Sequence, residues 1–267
     1  MTNPELEAQV AAAAAYEDLF VPALFREWAP RVAAAAALGP GDQVLDVACG
    51  TGILARTAAA LVSPGGVVTG VDLNPGMLTV AARLAPGIRW QQGTAEALPF
   101  PDQVFDAVVS QFGLMFFPDR VGAIREMGRV LTRGGRLAVA VWDSLTNTPA
   151  FAAEVALLER TAGADAANAL RLPFVLGDRQ ELARLFASAG LPAAEISTYP
   201  GTGRFPSIRT MVEADLRGWM PLVGIVLEDV LIETILVEAE TALARFRASD
   251  GSVVFETPAH IVVSTKP

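Results

Sequence analysis

The chain has 267 residues, 52% of them hydrophobic and 18% charged, enough to bury one substantial core with a small appendage. Its formal net charge is −9 and its 20 Lys and Arg are scattered, which argues against a surface built to neutralise nucleic-acid phosphates. Cys49 is the only cysteine, so a disulfide framework and a cysteine-based metal cluster are excluded.

The opening stretch "MTNPELEAQVAAAAAYEDLF" lacks a basic leader, and its alanine run is closed by Tyr16, Glu17 and Asp18. Neither a signal peptide nor a membrane span is expected, and the cytoplasm is the expected location. Residues 5–38 alternate apolar and charged positions at helical spacing, with Pro22 and Pro30 as helix starts or breaks, which predicts two or three helices before the first strand. "QVLDVA" (43–48) is a short apolar strand, followed by a helical pattern from Ile53 to Leu61. "GVVTGVD" (66–72) is the next strand, and Pro75 begins a helix through Leu84. "IRWQQ" is the third strand, and the loop "GTAEALPFPDQ" leads into "VFDAVVSQF" (104–112), apolar as befits a strand covered on both faces. Pro118 opens a helix to Val130, and "GGRLAVAVW" (134–142) is the fifth strand.

Further on, the pattern predicts a helix over 151–162, a helix "RQELARLFASAG" ended by Gly190, a strand over 195–199, a helical block over 207–247 and a last strand within "SVVFETPAHIVVSTK". The alternation of strand and helix predicts an α/β fold: a doubly wound, Rossmann-like, seven-stranded, mostly parallel sheet with N-terminal helices and a helical lid inserted before the last strand. The whole chain reads as one unit. Residues 1–40 are N-terminal helices, 41–145 the ligand-binding core, 146–206 and 249–267 the remainder of the sheet, and 207–248 the insertion. Its apolar face suits a pocket cover or a partner surface, which leaves the oligomeric state open.

"VLDVACGTG" (44–52) ends the first strand where open α/β sheets bind ligands. Gly50 and Gly52 let the backbone turn tightly and approach a ligand, and the helix that follows aims free N–H groups at it. The run "GTGILA" also satisfies the dinucleotide fingerprint, with Asp72 lying 20 residues after Gly52, so a nicotinamide dehydrogenase is one reading. Asp46 tells against it, because a carboxylate at the strand end repels a pyrophosphate and attracts a cation.

The segments "VLDVACGTG", "VTGVDLNPGML", "GTAEALPFPDQVFDAVVSQFGLMFF" and "EMGRVLTRGGRLAVAVW" together resemble, in order, the motifs of class I S-adenosylmethionine-dependent methyltransferases of the ubiquinone/menaquinone-methyltransferase-like group (methyltransferase domain 11 type). The resemblance covers about residues 40–142. It implies S-adenosyl-L-methionine as cofactor and S-adenosyl-L-homocysteine as product. It places Asp46, Ala48, Cys49, Gly50 and Gly52 on the methionine and ribose side, with Cys49 a small packed residue. Asp72 is placed on both ribose hydroxyls, Leu73 and Met77 against the adenine, and Gln111 at the methionine ammonium. Thr94, Ala95 and Glu96 fall in the adenine loop; the family commonly has a carboxylate where this chain has Thr94, which leaves open which group reads the adenine.

Methyl transfer from a sulfonium is an in-line displacement, and alignment alone can supply effective molarities of about 10⁵–10⁸ M. A general base is needed only where the acceptor must lose a proton, and no catalytic side chain is assigned. His260, the only histidine, lies in the last strand and is expected to be packed. Phe112, Met115, Phe116 and Phe117 suggest an apolar acceptor pocket, with Tyr16 and Phe20 closing over the cofactor and Trp142, Trp219 and Met220 lining a lid. The expected partner is a small, largely apolar methyl acceptor, attacked through oxygen or carbon. Nucleic acid and a metal are not expected. The alternatives are a dehydrogenase, a non-catalytic cofactor-binding protein, and an enzyme that uses the sulfonium to assist another reaction.

Overall fold

The apolar run of β1 (Gln43–Val47) is buried along nearly its whole length and lies inside the sheet in the computed structural model, which describes residues 4–267. β2 (Val67–Asp72) and β3 (Arg89–Gln92) lie in sequence on one side of it, and β4 (Phe105–Gln111) and β5 (Leu131–Trp142) on the other, all parallel. Chain order therefore reverses between β1 and β4, and the crevice beyond their C-terminal ends is the natural ligand site.

The last two places in the sheet go to β9 (Ala259–Thr265), antiparallel to β5, and β6 (Glu195–Tyr199), antiparallel to β9. The stretch read as one last strand is two. β7 (Thr202–Phe205) and β8 (Val253–Glu256) pair with each other in a separate ribbon, because Pro258 interrupts the run between β8 and β9.

Helices cover both faces. α1 (Pro4–Ala15) crosses α4 (Pro75–Leu84) so closely that a Cβ on Gly76 would meet the Gln9 carbonyl carbon at 2.5 Å. α2 (Trp28–Ala35) and α3 (Ile53–Val62) pack together beside β1. α5 (Arg120–Val130) leads into β5, and α6 (Pro149–Thr161), α7 (Ala164–Arg171) and α8 (Arg179–Ser188) precede β6. α4 is capped by Asn74, whose side chain accepts from the amides of Gly76 (2.8 Å) and Met77 (3.2 Å), with Pro75 in the first turn.

Two segments are π-helical: Tyr16–Phe25, and Asp215–Trp219 between α9 (Ile208–Ala214) and α10 (Met220–Leu222). Pro22 was expected to begin or break a helix and instead sits inside the first of these. Proline has no N–H to give to the ladder, so the segment runs on through it with one backbone bond fewer. α11 (Asp229–Ala242) packs on α6 and α9. No helix among the described residues is long and apolar enough to cross a membrane.

Candidate cofactor and acceptor site

Two non-glycine residues take left-handed backbone where β1 and β4 end: Ala48 with φ 56° and Phe112 with φ 57°. Such strain persists only where the surroundings enforce it, and it gathers at functional sites. Gly50 is also left-handed (φ 53°), and a Cβ there would point into open space, its nearest neighbour Tyr16 Cε1 at 4.0 Å. Gly52 (φ 87°) differs: a Cβ would strike the Trp90 ring at 2.4 Å. Gly50 thus leaves room for a ligand, whereas Gly52 leaves room for a side chain of the sheet.

The electrostatics of this strand end are unusual. Asp46 is buried in β1, and neither carboxylate oxygen has a partner of normal hydrogen-bond geometry. Burial pushes its carboxyl well above the usual carboxylate range; the nearby Ala55 amide lowers it and Asp72 raises it further. Gln111 donates through Nε2 to the Phe25 carbonyl (3.1 Å), which leaves Oε1 buried and unpartnered. Asp46, Gln111, Ala48 and Gly50 enclose a small hollow of about 30 Å³, adjoined by Tyr16, Cys49 and Thr51. Asp46 and Gln111 bring three unpartnered oxygens to the hollow and Thr51 an unpartnered hydroxyl that can accept or donate, and with Asp46 ionised this set can receive a ligand ammonium.

Asp72 is tied into the loops by two amides, Gly50 N to Oδ2 at 2.8 Å and Asn74 N to Oδ1 at 2.9 Å. Burial raises its carboxyl and the Asn74, Gly50 and Leu73 amides lower it. A carboxylate has about four lone-pair sites, so acceptor capacity remains for hydroxyls. Burial, then Asp72 and Glu17, push the Tyr16 phenol up, and it stays protonated at neutral pH. Burial, then Asp46 and Asp72, push the Cys49 thiol up, which removes it as a nucleophile.

The hollow adjoins a cavity of about 500 Å³. Of the residues singled out in the sequence, Ala48, Gly50, Asp72, Met77 and Gln111 line it, as do Tyr16, Phe20, Phe112, Phe116, Trp142 and Trp219. Phe112 and Trp142 stack at 3.8 Å between centroids, and Phe116 meets Trp219 at 5.0 Å. The Trp219 indole is anchored by a 3.0 Å bond to the Ala169 carbonyl. Glu17 and Arg56 form an ion pair at 2.7 Å that ties the N-terminal π-helical segment to α3 and holds Tyr16 and Phe20 over the site.

Other singled-out residues are elsewhere. Gly52 and Leu73 do not line the cavity, and Leu73 is exposed. Thr94, Ala95 and Glu96 lie in the loop after β3, outside the cavity wall, with Ala95 buried. Met115 and Met220 are wholly buried in the core, because the short turn Leu114–Phe116 and the end of the inserted helix rotate them inward, so neither faces the acceptor space. His260 is buried, with Thr198 Oγ1 at 2.9 Å, the Gly177 carbonyl at 2.9 Å and Asp143 Oδ1 at 3.3 Å, away from the cavity.

Several contributions were not legible. Arg129 bonds Glu126, Asp102 and the carbonyls of Leu98 and Phe100, and so fastens the loop after β3 to α5. The inserted helix lines the cavity through Thr210, Glu213, Asp215 and Arg217, whereas the apolar block after Gly224 does not reach it. Phe25 also lines the cavity, a position the proline in its segment had obscured.

Sheet order, crevice and strand-end loop together define the Rossmann-like fold of the methyltransferases. Residues 45–139 match the methyltransferase domain family, which sustains the resemblance drawn from the motifs across the segment that carries them. A ubiquinone/menaquinone biosynthesis C-methyltransferase of Xanthomonas campestris pv. campestris is 42% identical over 135 residues, 48% of this chain and 53% of that protein. The chain therefore spans about half the length of the curated relatives it matches. Among solved structures, the YcgJ protein of Bacillus subtilis superposes with a TM-score of 0.60 at 21% identity, over 90% of this chain and 98% of that one. A phosphoethanolamine N-methyltransferase of Haemonchus contortus, solved with phosphomonomethylethanolamine and S-adenosylhomocysteine, gives 0.61 at 16% identity, over 97% and 57%. These two likenesses show the fold.

Proposed function

We propose that this chain binds S-adenosylmethionine in the crevice between β1 and β4 and transfers its methyl group to a small, largely apolar acceptor through an oxygen or carbon atom. The observation that carries this reading is the set of three buried, unpartnered acceptors, both oxygens of Asp46 and Oε1 of Gln111, around a hollow that opens beside Gly50. Unpaired buried polar atoms each cost roughly 1–3 kcal/mol, and an ammonium offers the donors they lack. Asp72 would hold the ribose hydroxyls, and Met77 the adenine edge nearest the cavity.

When bound, the cofactor supplies a sulfonium methyl and a neutral thioether leaving group. The chain's own part is alignment, together with exclusion of water by Tyr16, Phe20, Phe116 and Trp219. Among the described residues no Lys, Arg or His forms an ion pair with Asp46 or Asp72, which leaves both carboxyls to a cationic ligand. The same carboxylates oppose a dinucleotide pyrophosphate. The name of the Xanthomonas relative supports a carbon acceptor, but the matched family segment ends at residue 139, before the inserted helix that walls the acceptor space.

Calorimetric titration with S-adenosylmethionine, S-adenosylhomocysteine and NAD tests the reading. Binding of the first two without the third is expected. Binding of NAD alone would overturn it in favour of the dehydrogenase.

A further inference from the structure

The acceptor wall holds one group the reading above leaves unused. Asp215, the first residue of the second π-helical turn, is 3% exposed, lines the cavity, and has Oδ2 without a partner. Behind it, on α6, Glu154 is wholly buried, neither of its oxygens has a partner of normal hydrogen-bond geometry, and the two carboxyls lie close enough for each to shift the other's ionisation. Among the described residues no cation neutralises either one. Arg217, two positions on, also lines the cavity, but its guanidinium is paired with Glu213 (3.1 Å) and Asp229 (2.6 Å).

A buried carboxyl pair is a costly feature beside Phe20, Phe116, Trp219 and Leu222 in the cavity wall, and apolar side chains of similar volume would fill the space at no electrostatic cost. Burial pushes Asp215 up to about 7, with the Glu154 carboxyl lowering it, and burial holds Glu154 well above its usual range. The pair therefore holds its protons to higher pH than free carboxyls do, and Asp215 is the member that lines the cavity. π-Helical turns are rare and concentrate at functional sites, and here one delivers Asp215 to the cavity wall.

We propose that Asp215 is the proton acceptor for a phenol- or enol-type hydroxyl on an otherwise apolar acceptor molecule, with Glu154 the positioning residue behind it. This rests on the methyl-transfer reading and narrows its acceptor class. The O–H bond breaks, the proton passes to the Asp215 carboxylate, and the electron pair stays on the acceptor, on oxygen or delocalised to the adjacent carbon, as the nucleophile. The proton returns to solvent from Asp215 when the product leaves. A general base titrating near neutral pH is matched to that task.

The test uses 2-naphthol, which on excitation becomes a strong acid and emits as naphtholate where a base or bulk water takes its proton, so the spectrum of the bound probe is read against that of the free probe in buffer. Its methyl ether, 2-methoxynaphthalene, is the control that has no proton to give. Both are titrated into the full chain with and without S-adenosylhomocysteine. Expected for the wild type are naphtholate emission from the bound probe and binding of 2-naphthol about tenfold tighter than the ether. D215N should lose the emission and the tenfold preference while binding the ether and S-adenosylhomocysteine as before. E154Q, which can donate to Asp215, should keep the emission; E154L should weaken it. These two read the pair independently if D215N fails to fold.

Equal binding of naphthol and ether to the wild type, no naphthol binding at all, or emission unchanged in D215N would each overturn the proposal and leave the cofactor reading standing. Absence of S-adenosylhomocysteine binding with the naphthol preference intact would topple the methyl-transfer reading and uphold the hydroxyl site.

Discussion

The cavity has two walls, built on different principles. The wall at the ends of β1, β2 and β4 is made of backbone: left-handed residues at 48, 50 and 112, amides donated to Asp72, and carboxylates held at strand ends. The opposite wall is made of side chains carried by helices far apart in sequence: Tyr16 and Phe20 from the N-terminal segment, Phe116 from a short turn, Trp219 and Asp215 from the insertion. The first wall tolerates little change because few residue types adopt its backbone. The second can be refitted by exchanging side chains, so one cofactor site can serve many acceptors.

The sharpest way to separate the walls is at the two glycines. Gly50→Val should abolish S-adenosylhomocysteine binding in calorimetry, since its side chain would enter the space beside Tyr16 at a left-handed φ. Gly52→Ala should act on stability, because its Cβ would be driven into Trp90; a fall in melting temperature is expected in thermal unfolding. Retained affinity in Gly50→Val would mean that the loop faces something other than the cofactor.

Asp72→Ala comes next. At least a tenfold loss of affinity, about 1.4 kcal/mol, is expected, because a hydrogen bond to a charged group is worth roughly 1.5–3 kcal/mol. An unchanged dissociation constant would remove Asp72 from the ribose site and leave it as the residue that braces Gly50 and Asn74.

A smaller effect follows from Asp46. Its folded carboxyl is raised by burial, so the free protein holds a proton there at a pH where an ordinary aspartate has lost it. A bound ammonium favours the ionised form. Binding should therefore release a proton and tighten as pH rises through the range in which Asp46 of the free protein loses its proton, as long as the ligand amine remains charged. Calorimetry in buffers of different ionisation enthalpy reads the proton directly. Asp46→Asn should abolish the release; a pH-independent affinity in the wild type would place the ammonium elsewhere.

The same division explains what could be read from the chain alone. The strand-end wall was legible because its cause is local: an apolar run, an aspartate and two glycines at a strand end leave few backbone solutions, and Gly50, Asp72 and Gln111 all line one crevice. Even there, spacing did not tell Gly50 from Gly52, since the difference lies in Trp90, on another strand. The acceptor wall was legible only in part. Phe112, Phe116 and Trp219 were marked by residue type, yet Met115, of the same apolar type, is turned into the core by a short turn that periodicity does not encode. The Glu154–Asp215 contact joins α6 to the insertion across some sixty residues, and neither position stands out beside the chain's many other carboxylates.

His260 supplies the smallest expected effect on binding, and it tests the boundary of both walls. Its ring is held by Thr198, Gly177 and Asp143, so it joins β9 to β6 and to the turn before α8. In His260→Ala the partners on those elements lose their bonds in a buried place, at about 1–3 kcal/mol for an unsatisfied group, and a lower melting temperature follows. No atom of the crevice moves for that reason, because the ring lies outside the cavity. S-adenosylhomocysteine affinity measured well below the melting transition should match the wild type within about twofold, since additivity holds for distant, independent sites. A large loss of affinity in a folded variant would show that the β9 edge and the crevice are coupled, and the two walls would then be parts of one cooperative unit.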